Sequence, residues 1–331
     1  MNALQQCQNI LETYGGETAN KSARLLIEDS ALSKMVDILD FTSKTWHDPF
    51  TPAMMNLSCQ AVGGNPKATQ EIAIAMSLMN FSFRTWDDII DKTMDRKLKP
   101  TTVGKYGTNI ALIIGGLASA KAFTILNEVR LDFRKRGTIS SLFWKYWAKM
   151  AEVESSNLKS SQVMNTSKDK LQKIEGEAIN LRTCLQIGAI VGNGTSREVK
   201  ALSTYGQCLG EIVELLKDVQ VSINLTLELE EKLKNRSLPY AILRAKEESE
   251  ILQNRLNLFD RSSDISSNEI KEIVDLTVQT GVLNQINRLV EELIRKSEKS
   301  LDDLKNSVAK EILGGFVRSQ ADLFQESSFN V

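Results

Sequence analysis

The stretch FRTWDDIIDKTMDRKLKPTTVGKYG, Phe83 to Gly107, sets three acids in an apolar setting, Asp87, Asp88 and Asp91, and follows them with Arg96, Lys97 and Lys99. On a helix Asp87 and Asp91 are one turn apart, so their carboxylates lie roughly 6 Å from each other on one face. Asp88 is offset by about 100° but leans toward the same groove. Like charges this close repel unless a cation sits among them or water surrounds them. Phe81, Phe83, Trp86, Ile89 and Ile90 leave room for only partial hydration. A hard divalent ion resolves the repulsion, and Mg2+ suits the pattern because it takes one or two carboxylates and fills its other positions with water and phosphate. The bases that follow are what a diphosphate needs beside its metal. Taken alone, the three acids also read as a solvated acidic turn.

The elements that must position these residues read as helices. The five prolines, Pro49, Pro52, Pro66, Pro100 and Pro239, fall at boundaries, and between them apolar residues recur at helical spacing. Helices are expected near 18–40, 53–62, 67–96, 102–134, 138–162, 167–192, 196–233, 238–257, 267–282, 284–305 and 307–325. Joints such as GGNP (63–66) and GNGTS (192–196) suit antiparallel neighbours. The expectation is an all-α fold in one domain over 1–331, with a core at about 18–260 and an outer layer of solvated helices at about 261–325.

Composition removes other classes. Lys plus Arg is 41 against 42 Asp plus Glu, which gives no electrostatic reason to expect nucleic acid or an anionic membrane as partner. His47 is the single histidine, which argues against histidine-based triads and metal sites. Cys7, Cys59, Cys184 and Cys208 lack metal-ligand spacing and read as buried thiols. The first thirty residues are polar and broken by GG at 15–16, so no secretory signal is read. The apolar run at 110–123 is too short to span a bilayer. A cytoplasmic protein that is not integral to a membrane is expected.

DDIIDKTMDRKLKPTTVGKYG resembles the first aspartate-rich motif of the trans-isoprenyl diphosphate synthases, DDxxDxxxxRRGxPT followed by a short spacer and a glycine. GGNP at 63–66, GNG at 192–194, YGQCLGEIVELLKDV at 205–219 and RSLPYAIL at 236–243 extend the likeness over most of 20–260. The resemblance implies a helical bundle of the isoprenoid synthase type around a deep apolar pocket. It implies an allylic prenyl diphosphate (geranyl, farnesyl or geranylgeranyl) held at the mouth by two or three Mg2+ ions, and a homodimer. Asp87, Asp88 and Asp91 would bind metal, Arg96 and Lys97 the diphosphate. Phe83, one turn before Asp87, would limit the tail, with Ser82 and Trp86 beside it as pocket wall. Trp86 is equally read as core, though its π face suits a carbocation.

The departures bear on function. Chain-elongating enzymes of this kind grip isopentenyl diphosphate largely through a Gly-Gly-Lys-Arg-x-Arg-Pro segment. Here that segment aligns with WHDPFTP (46–52), and Asp48, Pro49 and Thr51 stand where the Lys and both Arg belong. Lys97 keeps charge but not the bidentate fork of an arginine. A Lys-Thr pair that helps hold the allylic diphosphate is replaced by Gly176-Glu177, and Arg182 is a substitute cation or a plain surface residue. The second acidic motif, QxxDDxxD, aligns with ELLKDVQV (214–221): only Asp218 is kept as a further catalytic acid, and Lys217 replaces an acid, free to touch phosphate itself. Glu214, Asp218 and Ser222 still form one helical stripe, like the trio that holds metal in terpene cyclases, or else a solvated polar face. Three functions are expected in order: a terpene synthase or a prenyltransferase with a non-isopentenyl acceptor; a chain-elongating synthase that recruits Lys44, Arg84 or Arg182; and a regulatory subunit in a heteromer with an active synthase.

Overall fold

The periodicity of the apolar residues is realised almost entirely as helix. The computed structural model describes residues 3–96, 99–160, 166–234, 237–259 and 265–329. Its helices are α1 (Ala3–Leu25), α2 (Val36–Thr45), α3 (Phe50–Ala61), α4 (Gln70–Ile90), α5 (Thr102–Glu128), α6 (Phe133–Ser160), α7 (Ser167–Glu177), α8 (Ile179–Val191), α9 (Ser196–Ile223), α10 (Leu227–Lys234), α11 (Tyr240–Glu248), α12 (Glu250–Phe259), α13 (Ser267–Gln279), α14 (Val282–Leu301) and α15 (Val308–Phe329). Two short antiparallel strands, β1 (Asp95–Arg96) and β2 (Lys99–Pro100), pair between α4 and α5.

Two apolar clusters support the bundle. One joins α3, α8 and α9 through Met54, Leu57, Leu185, Leu209 and Ile212. The other joins α4, α5, α6 and α8 through Met76, Leu78, Ile114, Phe143 and Ile187. The C-terminal helices are more than a solvated outer layer. α14 turns Val282, Ile286 and Val290 into the same cluster as α9, Phe316 of α15 joins them, and the Tyr205 hydroxyl donates to the Leu313 carbonyl at 2.8 Å.

Several boundaries differ from the sequence expectation. The chain is helical from Ala3, because the glycine pair lies inside α1 with Gly15 packed against the start of α3. The expected helix at 167–192 turns at Ala178 into α7 and α8, and that at 196–233 breaks at Asn224. The apolar run at 110–123 lies within the 27-residue α5, which is long and apolar enough to cross a membrane by length and composition. One side of α5 packs along α4; the other leaves Leu112, Ile113 and Phe123 exposed.

Candidate active site

The acids stand where α4 ends, six residues sooner than helical periodicity predicts. The Asp91 amide bonds to the Asp87 carbonyl at 2.8 Å as the helix closes, and Lys92 then takes a left-handed φ of 56°. The chain doubles back through β1 and β2. Thr101 fastens the return: its hydroxyl donates to the Thr93 carbonyl at 2.7 Å and accepts from the Gly104 amide at 3.0 Å. Gly104 is required here, since a Cβ would lie 2.0 Å from the Met94 carbonyl oxygen.

This return separates the three acids. Asp88 is buried, and its Oδ1 accepts from the Arg96 guanidinium at 2.5 Å. Burial pushes the Asp88 carboxyl up, and Arg96 only partly offsets it. Asp87 points elsewhere. Burial, then the neighbouring Asp91, Glu154 and Glu177, push Asp87 up to about 7 against the pull of Lys173. Glu154 of α6 and Glu177 of α7 come from distant sequence; Glu154 carried no readable signal, and Glu177 was marked only as a departure at the place of the Lys-Thr pair. Lys173, one turn before Glu177, places its Nζ 3.4 Å from Glu177 Oε1. Burial disfavours its charge, but Glu177, Glu154, Asp87 and Asp91 together raise its pKa.

These residues fit a magnesium ion. Among the described residues no group of three or more His, Cys, Asp or Glu is placed to hold a metal ion. Magnesium needs none, because one or two carboxylates suffice when water and phosphate complete its shell. Asp87 and Asp91 provide that pair, and the surplus negative charge around Asp87 is what a divalent cation relieves.

The α9 stripe is differently disposed. Lys217 Nζ lies 2.7 Å from Glu214 Oε1. Asp218 is engaged on both oxygens: Lys170 of α7 is 3.2 Å from Oδ1, and the Tyr240 amide donates to Oδ2 at 2.5 Å. Ser222 is fully buried and donates to the Asp218 carbonyl at 2.7 Å. Glu214, Asp218 and Ser222 thus share a helix line without presenting three open ligands, because each is already satisfied by a neighbour. Lys217 is 63% accessible, with Glu177 and Arg84 among its charged neighbours.

The remaining candidates divide as follows. Arg84 is accessible, with Arg96, Asp88, Asp48 and Asp87 as charged neighbours. Arg182 is on the surface and donates to Ser203 Oγ at 3.2 Å; its place on the exposed side of α8 makes it the surface arginine of the two expected alternatives. Lys97 lies outside the described residues. Lys44 pairs with Asp40 on exposed α2 at 2.6 Å.

Below the acids the wall is aromatic. The ring of Phe83 packs against Trp147 at 4.6 Å, Tyr146 at 5.3 Å and Trp86 at 5.8 Å, and Trp86 meets Trp147 at 4.9 Å. Trp86 fits because α5 carries Gly115 opposite it, where a Cβ would lie 2.6 Å from the indole nitrogen. Ser82 does not line this wall: it is fully buried and its hydroxyl returns to the Leu78 carbonyl at 3.0 Å.

The segment 46–52 holds no cation. Asp48 ties down the first turn of α3, accepting from the Phe50 amide at 3.1 Å and the Thr51 hydroxyl at 2.8 Å. Asn80 of α4 donates to Thr51 Oγ1 at 2.8 Å and accepts from the buried Tyr146 hydroxyl at 2.7 Å. A chain of hydrogen bonds therefore runs from Asp48 to the aromatic wall.

The profile of the family described as Polyprenyl synthetase matches residues 49–233, more than half of the chain, including the acids of α4 and the α9 stripe. The chain belongs to the polyprenyl synthetase family. It is 21% identical over 318 residues to the short chain isoprenyl diphosphate synthase of Methanothermobacter thermautotrophicus, covering 94% of this chain and 96% of that one. Against some other relatives the match spans only about half of their length. The fold is that of the geranylgeranyl pyrophosphate synthetase of Pyrococcus horikoshii, with a TM-score of 0.85 at 20% identity over 96% of this chain and 98% of that one. It is also that of the polyprenyl synthase of Caulobacter crescentus, solved complexed with calcium and isoprenyl diphosphate, with a TM-score of 0.83 at 16% identity over 95% and 97% of the two chains. Family membership places the acids of α4 in the all-α isoprenoid synthase fold.

Proposed function

We propose that the protein is a magnesium-dependent prenyltransferase that binds and ionises an allylic prenyl diphosphate and delivers the prenyl group to an acceptor other than isopentenyl diphosphate. Magnesium held by Asp87 and Asp91 would supply charge stabilisation for the departing diphosphate. The chain's own residues do the rest. Arg96, fixed by Asp88, and Arg84 place cations beside the acids. Phe83, Trp86 and Trp147 give an apolar seat for the tail and turn ring faces toward developing positive charge.

The acceptor side carries the finer part of the reading. A diphosphate there needs charge-assisted donors. The segment that aligns with its binding site offers instead Asp48, whose carboxylate is used to organise α3. An acid at that place repels a second diphosphate, whereas a neutral or hydroxyl-bearing acceptor meets no such penalty. The engaged α9 stripe supports transfer over cyclisation, because the extra metal ligands of a terpene cyclase are not free.

A second reading keeps chain elongation, with Arg84 and Arg96 as replacement cations for isopentenyl diphosphate. It is favoured by the position of Arg84, which has Asp48 and the α4 acids as neighbours on either side. The test is to incubate the protein with Mg2+ and geranyl, farnesyl or geranylgeranyl diphosphate, with and without isopentenyl diphosphate, and to analyse extracts. A third arm adds a neutral hydroxyl-bearing acceptor, and a prenylated acceptor formed there with release of pyrophosphate, without isopentenyl diphosphate, supports the first reading. Longer diphosphates formed only in its presence replace it with the second, and no turnover in any arm sets both aside for a regulatory subunit.

A homodimer belongs to this proposal. Leu112, Ile113 and Phe123 of α5 and Phe133 and Trp144 of α6 form the exposed apolar surface that a second copy would cover. The balanced charge and four free cysteines support a place in the reducing cytoplasm.

A further inference from the structure

We propose that Lys173 of α7 and Lys217 of α9 supply cations that grip the diphosphate, so that bound metal is confined to the Asp87–Asp91 side of the site. The inference rests on the diphosphate-binding reading above. Three observations carry it. The residues of α9 that would hold metal on the opposite side are already taken. Lys170 and the Tyr240 amide saturate the Asp218 carboxylate, and both side chains of that ion pair are at most 13% exposed. Ser222 is closed on its own helix. A metal ion arriving there would have to break a buried ion pair, which is costly.

Second, Lys217 stands where the motif would place an acid; its side chain is exposed, and Glu177 of α7 and Arg84 of α4 are among its charged neighbours. Its ion pair is with Glu214 of its own helix, a partner it can leave. Third, Lys173 brings a base from α7 to the acids around Asp87. Four carboxylates share it: Glu177 at 3.4 Å, with Glu154, Asp87 and Asp91 as further neighbours. With Asp87 and Asp91 holding a divalent cation, their claim on the ammonium would fall away, and Lys173 would be available to a diphosphate oxygen with Glu177 as its orienting partner. An ammonium serves well here, because it acts on phosphate as a compact point charge.

The position of α7 is itself fixed, so the lysine stem starts from a rigid base. Glu247 of α11 accepts from the Ser167 amide at 2.6 Å and the Ser167 hydroxyl at 2.7 Å, and Lys170 binds the same helix to α9. Lys173 also lies three residues before Gly176, on the helix whose Lys-Thr pair is missing.

The test is calorimetric titration of the whole protein with inorganic pyrophosphate at several Mg2+ concentrations. The expected result is that Lys173→Met and Lys217→Met each weaken pyrophosphate binding at saturating Mg2+ by at least about tenfold, the loss of one charge-assisted contact. Lys173→Arg should recover part of the loss. Asp218→Asn should leave the dependence of affinity on Mg2+ unchanged. Lys217→Met, exposed on its helix, keeps the test valid even if a change at Lys173 disturbs folding. Wild-type affinity in both methionine variants overturns the inference, as does an Asp218→Asn variant that loses Mg2+ dependence. Wild-type binding by Asp87→Asn overturns the underlying reading instead, so the two failures are separable.

Discussion

Consecutive positions on a helix point about 100° apart, and at Asp87 and Asp88 that angle assigns different work to chemically identical side chains. Asp88 turns inward to Arg96 and stabilises the β1–β2 return; Asp87 turns to Asp91 and the acids of α6 and α7. Asp87→Asn or Asp91→Asn should therefore lower turnover at least about a hundredfold, as when a metal clamp is removed, in a steady-state assay of pyrophosphate release. Asp88→Asn should act mainly on local order, with faster amide exchange across 93–101 by hydrogen-exchange mass spectrometry. Phe83→Ala should cost about 3–5 kcal/mol in a urea melt, since it empties the centre of an aromatic cluster, and should admit a longer prenyl tail. An unchanged tail-length profile would remove Phe83 as the limit. The acids were legible because their types and spacing are local. The roles of Glu154, Lys173 and Glu177 were not, because only tertiary packing brings α6 and α7 to the end of α4.

Helix identity was readable from apolar spacing, whereas helix ends were set by contacts that periodicity does not encode. α4 keeps an apolar pattern up to its acids, but it stops at Ile90 because the return through Lys92 lets Thr101 bond back to Thr93. The single run at 167–192 divides because α7 is pinned from outside by Glu247. Burial raises the Glu247 carboxyl, but hydrogen bonds from Ser167 and Arg244 outweigh it and hold the pKa below the usual glutamate range. A depressed carboxylate stabilises the fold above the ordinary glutamate pKa, and that contribution disappears as pH falls through its lowered folded value. Glu247→Gln should therefore cost about 1 kcal/mol near neutral pH, the scale of a lost capping contact, and the gap from wild type should close in acid. Thermal melts from pH 3 to 7 on both proteins check it.

At the scale of the molecule, the all-α class, the family and a long helix from 102 were legible from pattern and motif, and the open side of α5 was not. Apolar residues on both sides of a long helix look alike in sequence whether they meet α4, a second chain or solvent. Leu112→Glu with Ile113→Lys should convert a dimer to monomer in sedimentation velocity without loss of helical circular dichroism; an unchanged sedimentation coefficient would remove this face from the assembly. The aromatic wall has a practical consequence. Two of the protein's four tryptophans, Trp86 and Trp147, lie in ring contact just beneath the acids. Their emission reports on the polarity of that spot, so a prenyl chain settling there should shift intrinsic fluorescence. The molecule thus carries its own optical gauge of occupancy, and candidate tails can be ranked on unlabelled protein before any product is known.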